Sequence, residues 1–477
     1  MDPHISRKFI NGEWEDSILP ALKEYVSIHN VSPAYDKNWE TNGYIDHVVE
    51  LFTGWILSQN LRGMYMEVYR EEGRTPLILV EIEPSSEKCA DRTVLLYGHM
   101  DKQPPLLPWD DGLHPYRPVI RDGLLYGRGC ADDGYALFSS VAAIRNLQVQ
   151  NLDHARCLIM IESGEESGSP DLPYYMEKLS SKIGKPDFII CLDSGCGNYE
   201  QLWLTTSLRG LVSGTLTVQI LERGVHSGHA SGIVPSSFRI IRQLLDRIED
   251  PDTGVLKIPE LNVEIPPDRV KEAERCAQSL GSSIADEFPF IAGSGPVSTN
   301  YAELLLNRCW RPTLSITGVD GLPSLSESGN VLRSHTSLQL SVRVPPTADA
   351  SLAAEALKRV LEADPPYGAR VSFVYEKSGA GWNAATLSPW ASQSFDNSSM
   401  EYFGKHCDYM GEGGSIPLIN LLANHFPQSQ LCVTGLLGPD SNAHGPNERL
   451  DIEYAKKLTC CISQIIYDHA NPQIEKK

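Results

Sequence analysis

The chain has no Cys-x-x-Cys pair, and nowhere does it run to the roughly 20 apolar residues that a membrane span requires. Its 11 cysteines are odd in number and scattered. Cys460 and Cys461 are adjacent, and Cys191 sits inside an apolar run, as buried free thiols do. This usage excludes a zinc ribbon and a disulfide scaffold and fits a reducing cytosol. The start, Met1-Asp2-Pro3-His4, is polar and has no apolar signal-peptide core, so a soluble cytoplasmic protein is expected. Positive charge is scarce: 41 Lys and Arg against 61 Asp and Glu leave a net charge of -20. That balance argues against nucleic acid or an anionic membrane as partner. Internal repeats and low-complexity tracts are also missing.

What is present is a 477-residue chain with 41% hydrophobic residues. Single cores stop growing near ~250–300 residues, so two domains are expected. Residues 18–28 and 39–59 carry apolar positions at helical spacing. From Leu77 the period changes. Residues 77–82, 93–97, 155–161 and 187–192 read as strands, and 135–147 and 172–179 as helices. Apolar strands alternating with helices indicate an α/β domain built on a mostly parallel sheet with helices on both faces. In such sheets, function gathers beyond the carboxyl ends of the strands.

Near Gly210 a second pattern begins. Strands are expected at 212–220, 313–317, 335–344 and 370–375, with helices at 236–248 and 350–361. The order β-α-β-β-α-β is that of a ferredoxin-like α+β unit, and its alternation suits an antiparallel sheet with one solvated face. Residues 251–310 read as an irregular insertion with a short helix near 269–280. The α/β pattern resumes with a strand at 428–436 and a helix at 452–469. The expected organisation is therefore a discontinuous first domain, 1–209 and 381–477, interrupted by a second at 210–380.

Five patches carry residues able to bind a divalent cation: His99-Met100-Asp101, Asp132-Asp133, Glu165-Glu166, Asp193 and His444. Residues two apart on an extended backbone face the same side, so Asp101 can stand behind a ligand imidazole at His99 and fix its tautomer. Asp132-Asp133 opens a helix, where an acidic pair can be plain capping, but glycines at 127, 129 and 134 point to a specially shaped approach. Adjacent carboxylates such as Glu165-Glu166 repel one another unless a cation intervenes; with one present, one can ligate and the other act as general base. Asp193 ends an almost wholly apolar strand, and His444 lies in the loop Gly438–Gly445.

This ordered series resembles the aminoacylase–carboxypeptidase–carnosinase family of co-catalytic zinc metallopeptidases, and is most similar to the cytosolic nonspecific dipeptidase branch. The resemblance spans nearly the whole chain. It implies two divalent metal ions per subunit, with His99 and Asp193 on different ions, Asp132 bridging, and Glu166 and His444 completing the sites. It further implies Glu165 as general base and Asp101 as the partner of His99. Nitrogen and oxygen ligands without thiolate fit Zn²⁺, and Mn²⁺ is also compatible.

In the inserted unit, which the resemblance makes a lid and dimerisation domain, Gly224–Gly228 matches the family's His-Ser-Gly loop. His226 is thus implied to polarise the scissile carbonyl across a homodimer interface. Asn330, Arg343 and Ser415 match positions that hold the substrate backbone and carboxylate. Three departures bear on specificity: no proline follows Asn330 three residues on, no lysine follows Asp132-Asp133, and Ser378–Trp382 has no histidine. The implied activity is hydrolysis of the amide bond of a dipeptide or small peptide by metal-activated water. The alternatives are an N-acyl amino acid deacylase, such as a succinyl-diaminopimelate desuccinylase-like enzyme, and a non-catalytic binding homologue.

Overall fold

A computed structural model describes residues 1–472. Its centre is a six-stranded sheet in the order Met64–Tyr69, Leu77–Ile82, Arg156–Glu162, Thr93–His99, Phe188–Cys191, Gln430–Val433. Only Leu77–Ile82 runs against the others, so the sheet is mostly parallel as the strand–helix alternation implies. Alternate residues along each strand feed separate cores. Ile78, Val80, Val94, Leu96, Ile159 and Ile190 face one side, and Leu77, Leu79, Leu95, Leu158, Met160 and Ile189 face the other. Burial on both faces explains why these strands read as continuous apolar runs rather than alternating ones.

The first face is covered by Tyr135–Val149, which is buried along almost its whole length, and by Ile452–Ala470. The two helices lock through Asn146 Nδ2 donating to Ser463 Oγ at 2.8 Å and the Ser463 hydroxyl donating to the Ala143 carbonyl at 2.8 Å. Phe138 packs edge-on against Phe52 and Trp55, with centroids 5.3 and 4.7 Å away. Chain ends are drawn into the same core: the helical run 3–27 places Trp14 so that its Nε1 donates to Thr459 Oγ1 at 3.0 Å. This run starts well before the residue 18 at which apolar spacing becomes visible. The opposite face is covered by Leu172–Lys178 and Pro417–His425.

A separate four-stranded antiparallel sheet has the order Thr313–Asp320, His335–Val344, Gly210–Gln219, Arg370–Gly379. Ser237–Ile248 and Ala350–Glu362 cover one face, forming a second core around Val212, Leu216, Ile241, Leu244, Leu340 and Leu357. Asp349 caps the second of these helices by accepting from the backbone N–H groups of Ser351 and Leu352. Residues 251–310 are more ordered than their composition suggests. Pro267–Leu280 and Tyr301–Cys309 are helices, and Cys276 and Leu305 belong to the first core, not the second. They lie against a three-stranded sheet formed by Trp382–Asn383, Trp203–Leu208 and Asp408–Glu412. None of the helices among the described residues is long and apolar enough to cross a membrane.

Gly98 shows how tightly the sheet constrains what lies above it. A Cβ there would stand 2.6 Å from Ala136 Cβ and 2.8 Å from Asp133 Oδ2. Gly98→Ala should cost about 1–3 kcal/mol of stability by overpacking. Urea unfolding should show this as a lower midpoint with unchanged slope; an unshifted midpoint would contradict the packing described.

Candidate metal centre

His99 and Glu162 end neighbouring parallel strands and pair directly in register, and Asp193 follows Phe188–Cys191 on the other side of His99. Parallel strands thus deliver three polar side chains to one edge of the sheet. Asp132 and Asp133 arrive from the loop preceding Tyr135–Val149, across a cis peptide bond. Glu165 and Glu166 come from the turn after Arg156–Glu162, and His444 from a loop in which it adopts φ +63°.

All five expected ligand positions come together. His99 Nε2 lies 3.4 Å from Asp132 Oδ1 and 3.8 Å from Asp193 Oδ2. His444 Nε2 lies 2.9 Å from Asp132 Oδ2 and 3.3 Å from Glu166 Oε2. The two oxygens of Asp132 therefore face two different histidines, one on each side. Ligand atoms of His99, Asp132 and Glu166, and those of His99, Glu165 and Asp193, fall within 4.8 Å of one another.

Asp101 is wholly buried behind His99, with Oδ1 3.4 Å from His99 Nδ1. Its two oxygens also accept from the backbone N–H groups of Glu165 and Glu166, each at 3.1 Å. Asp101 thus orients the imidazole through its backbone carbonyl, 3.1 Å from His99 Nδ1, with the carboxylate close behind, and that carboxylate shapes the turn that presents the acidic pair. His99 Nε2 and Glu166 Oε1 are buried without any hydrogen-bond partner. Orphaned lone pairs of this kind are costly unless something fills the space between them. A nitrogen–oxygen donor set aimed inward fits a divalent cation, and the 11 cysteines, all buried and free, take no part in it.

The electrostatics match. Burial, and then the charge of Asp193, pushes the Glu165 carboxyl well above the usual range; burial, and then Asp132, does the same to Glu166. Burial raises Asp193 to about 6. Burial alone would lower the His99 imidazole, but Asp101, Asp132 and Asp193 outweigh it and hold the ring well above its ordinary value. Asp132 is the exception: the imidazoles of His444 and His99 beside it overcome burial and hold it below its ordinary 3.8.

The cavity over these groups has a volume of about 320 Å³ and is walled by Leu208, Glu412, Ser415, Ile416 and Leu437. Ser415 lines it as expected, but the hydroxyl donates to the Arg209 carbonyl at 2.7 Å and accepts from Arg343 Nη1 at 3.1 Å. Arg343 thereby reaches the rim. His226 and Asn330 do not line this cavity. They sit on an exposed ribbon where Val225–His226 pairs with Val331–Leu332 and the Ser227 N–H donates to the Asn330 carbonyl at 2.8 Å.

Sequence reasoning missed several groups. Gln103 Nε2 donates to Glu166 Oε2 at 2.6 Å. Glu162, which burial raises to about 7, accepts from the Tyr97 hydroxyl at 2.6 Å and the Ser169 hydroxyl at 2.8 Å. Arg128 and Glu448 form a buried pair at 2.6 Å. The signal for Gln103, Glu162 and Arg128 was adjacency to chosen motifs; for Glu448 there was none.

A family model described as "Peptidase family M20/M25/M40" matches residues 95–468. The Cysteinylglycine-S-conjugate dipeptidase of Corynebacterium striatum is 27% identical over 363 residues, covering 75% of this chain and 77% of that one. The Beta-Ala-His dipeptidase of Mus musculus is 26% identical over 483 residues, covering 96% and 95%. Among solved structures, the dipeptidase Dug1p from Saccharomyces cerevisiae superposes with a TM-score of 0.76 at 20% identity, over 99% of each chain.

The raised carboxyls dictate a pH response of the metal-free protein. Glu162, Asp193, Glu165 and Glu166 bind a proton more tightly folded than unfolded, so their contribution is full at low pH and is lost as pH rises, through about 6 for Asp193 and about 7 for Glu162. His99 acts in the same direction, and Asp132 opposes it only below its ordinary 3.8. Chelator-treated protein should therefore melt higher at about pH 5.5 than at about pH 8, and added Zn²⁺ should restore most at the higher pH. Equal melting temperatures at both pH values would contradict this.

Proposed function

Because the chain belongs to peptidase family M20/M25/M40, we propose that it is a two-metal dipeptidase with Asp132 bridging the ions. The resemblance places His99 and Asp193 on different ions, but His99 Nε2 lies only 3.8 Å from Asp193 Oδ2, so these two would instead hold one ion, and Glu166 and His444 the other. The observation that carries this reading is the division of Asp132, whose Oδ1 faces His99 and Oδ2 faces His444. Zn²⁺ suits the donors best, with Mn²⁺ also compatible. Bound ions would supply Lewis acidity toward the scissile carbonyl and make water a stronger acid.

The remaining work falls to this chain's own residues. Glu165 lines the cavity, with a carboxylate oxygen close to His99 and Asp193. Its carboxylate would take the proton from the attacking water and return it to the leaving amine; a positioned base of this kind contributes about 10²–10⁴-fold. Asp101 would keep the His99 imidazole and the Glu165-Glu166 turn in register. Arg343, tied to Ser415, would hold the substrate carboxylate, its planar guanidinium matching that group. A cavity of about 320 Å³ falls in the range of small-molecule sites and has room for a dipeptide.

The four-stranded unit would act as an inserted lid through which two subunits pair. His226 and Asn330, exposed and away from their own cavity, are then available to that of a second subunit in the cytoplasm. In that position His226 would polarise the scissile carbonyl.

Glu165→Ala should remove turnover by at least about 10²-fold while bound metal stays near the wild-type amount. The assay would pit a panel of dipeptides against N-acetyl and N-succinyl amino acids. Retained turnover in the variant would remove Glu165 from its role. Preference for the N-acyl compounds would replace dipeptidase by deacylase.

A further inference from the structure

The two sets of donors are not supported in the same way. His99 and Asp193 are placed by adjoining strands of the central sheet, and His99 is held from behind by Asp101. Asp132, Glu166 and His444 come from loops, two from the first part of the chain and one from near its end. Arg128 and Glu448 lie between those loops, at 1% and 0% exposure.

Their contacts reach each loop in turn. Glu448 accepts from the backbone N–H groups of Gly129 at 3.0 Å, Ala131 at 3.1 Å and Asp132 itself at 3.2 Å. Arg128 Nη1 donates to Glu448 at 2.6 Å, and Nη2 donates to the carbonyl of Gly445, next to His444, at 2.6 Å. Arg128 Nε donates to the Pro104 carbonyl at 3.2 Å, and the preceding residue, Gln103, grips Glu166. The pair makes no hydrogen bond to a ligand side chain, yet its bonds end on the backbone of Asp132, beside that of His444, and on Pro104, next to the Gln103 that holds Glu166.

We propose that the Arg128–Glu448 pair is a positioning clasp for one of the two metal sites, the one that Glu166 and His444 form with the bridging Asp132. A buried ion pair is a poor source of net stability, so its placement at this junction calls for another role. A guanidinium suits it: a planar fork can serve Glu448 and two separate carbonyls at once, which an ammonium cannot do with the same geometry. The proposal rests on the two-metal reading above.

The test is metal stoichiometry. Wild-type protein, Glu448→Gln and Arg128→Lys would be dialysed against a graded series of free-Zn²⁺ buffers and their bound zinc counted by mass spectrometry. Loss of a group supporting a metal ligand typically weakens binding by about 10–100-fold. Both variants should keep the first ion at wild-type free-zinc levels and lose the second until free zinc is raised by about that factor. Near-UV circular dichroism confirms the fold, and Arg128→Lys, which keeps the buried charge, carries the test should Glu448→Gln not fold. Two ions weakened alike, or neither weakened, would overturn the clasp while leaving the two-metal centre intact. A wild-type protein that binds fewer than two ions would overturn the centre itself, and the clasp with it.

Discussion

Repulsion among buried carboxylates is the constraint from which most of this structure follows. Asp101, Asp132, Asp133, Glu162, Glu165, Glu166 and Asp193 converge around His99, and ionisation of each disfavours that of its neighbours. The protein neutralises some of them with its own donors. Asp101 has two backbone N–H groups and an imidazole, Glu162 has two hydroxyls, and Glu448 close by has Arg128 and three backbone N–H groups. What remains unsatisfied at the centre, including His99 Nε2 and Glu166 Oε1, points into one space. The candidate ligands thus keep open atoms at the centre, while Asp101, Glu162 and Glu448 accept from the chain's own donors.

The fold is what brings so much like charge together. Parallel strands align their carboxyl ends, so the residues that end them share one edge of the sheet. The two apolar faces, each sealed by helices, provide the stability against which this unfavourable edge is held. Packing leaves little latitude at Gly98, where a single added carbon would meet both a helix and the Asp133 carboxylate.

How much of this could be read from sequence varied with the kind of signal. Strands such as Leu77–Ile82 and His335–Val344 were legible because continuous or alternating apolar patterns reflect burial on two faces or one. The ligands were legible because each ends an apolar run or sits among glycines. The helices of residues 267–309 were only partly so: an amphipathic pattern tells that a face is buried, not which core receives it. His226 and Asn330 matched a motif, and the fold leaves them outside the cavity. The pairing of Arg128 with Glu448 was silent, since a buried pair 320 positions apart carries no local pattern.

The central claim is that Asp132 joins two cations, and anomalous diffraction from crystals grown with Zn²⁺ or Mn²⁺ tests it directly. The account predicts two peaks per subunit on either side of Asp132, one against His99 and Asp193 and the other against Glu166 and His444. A single peak, or peaks that do not share Asp132, would contradict it.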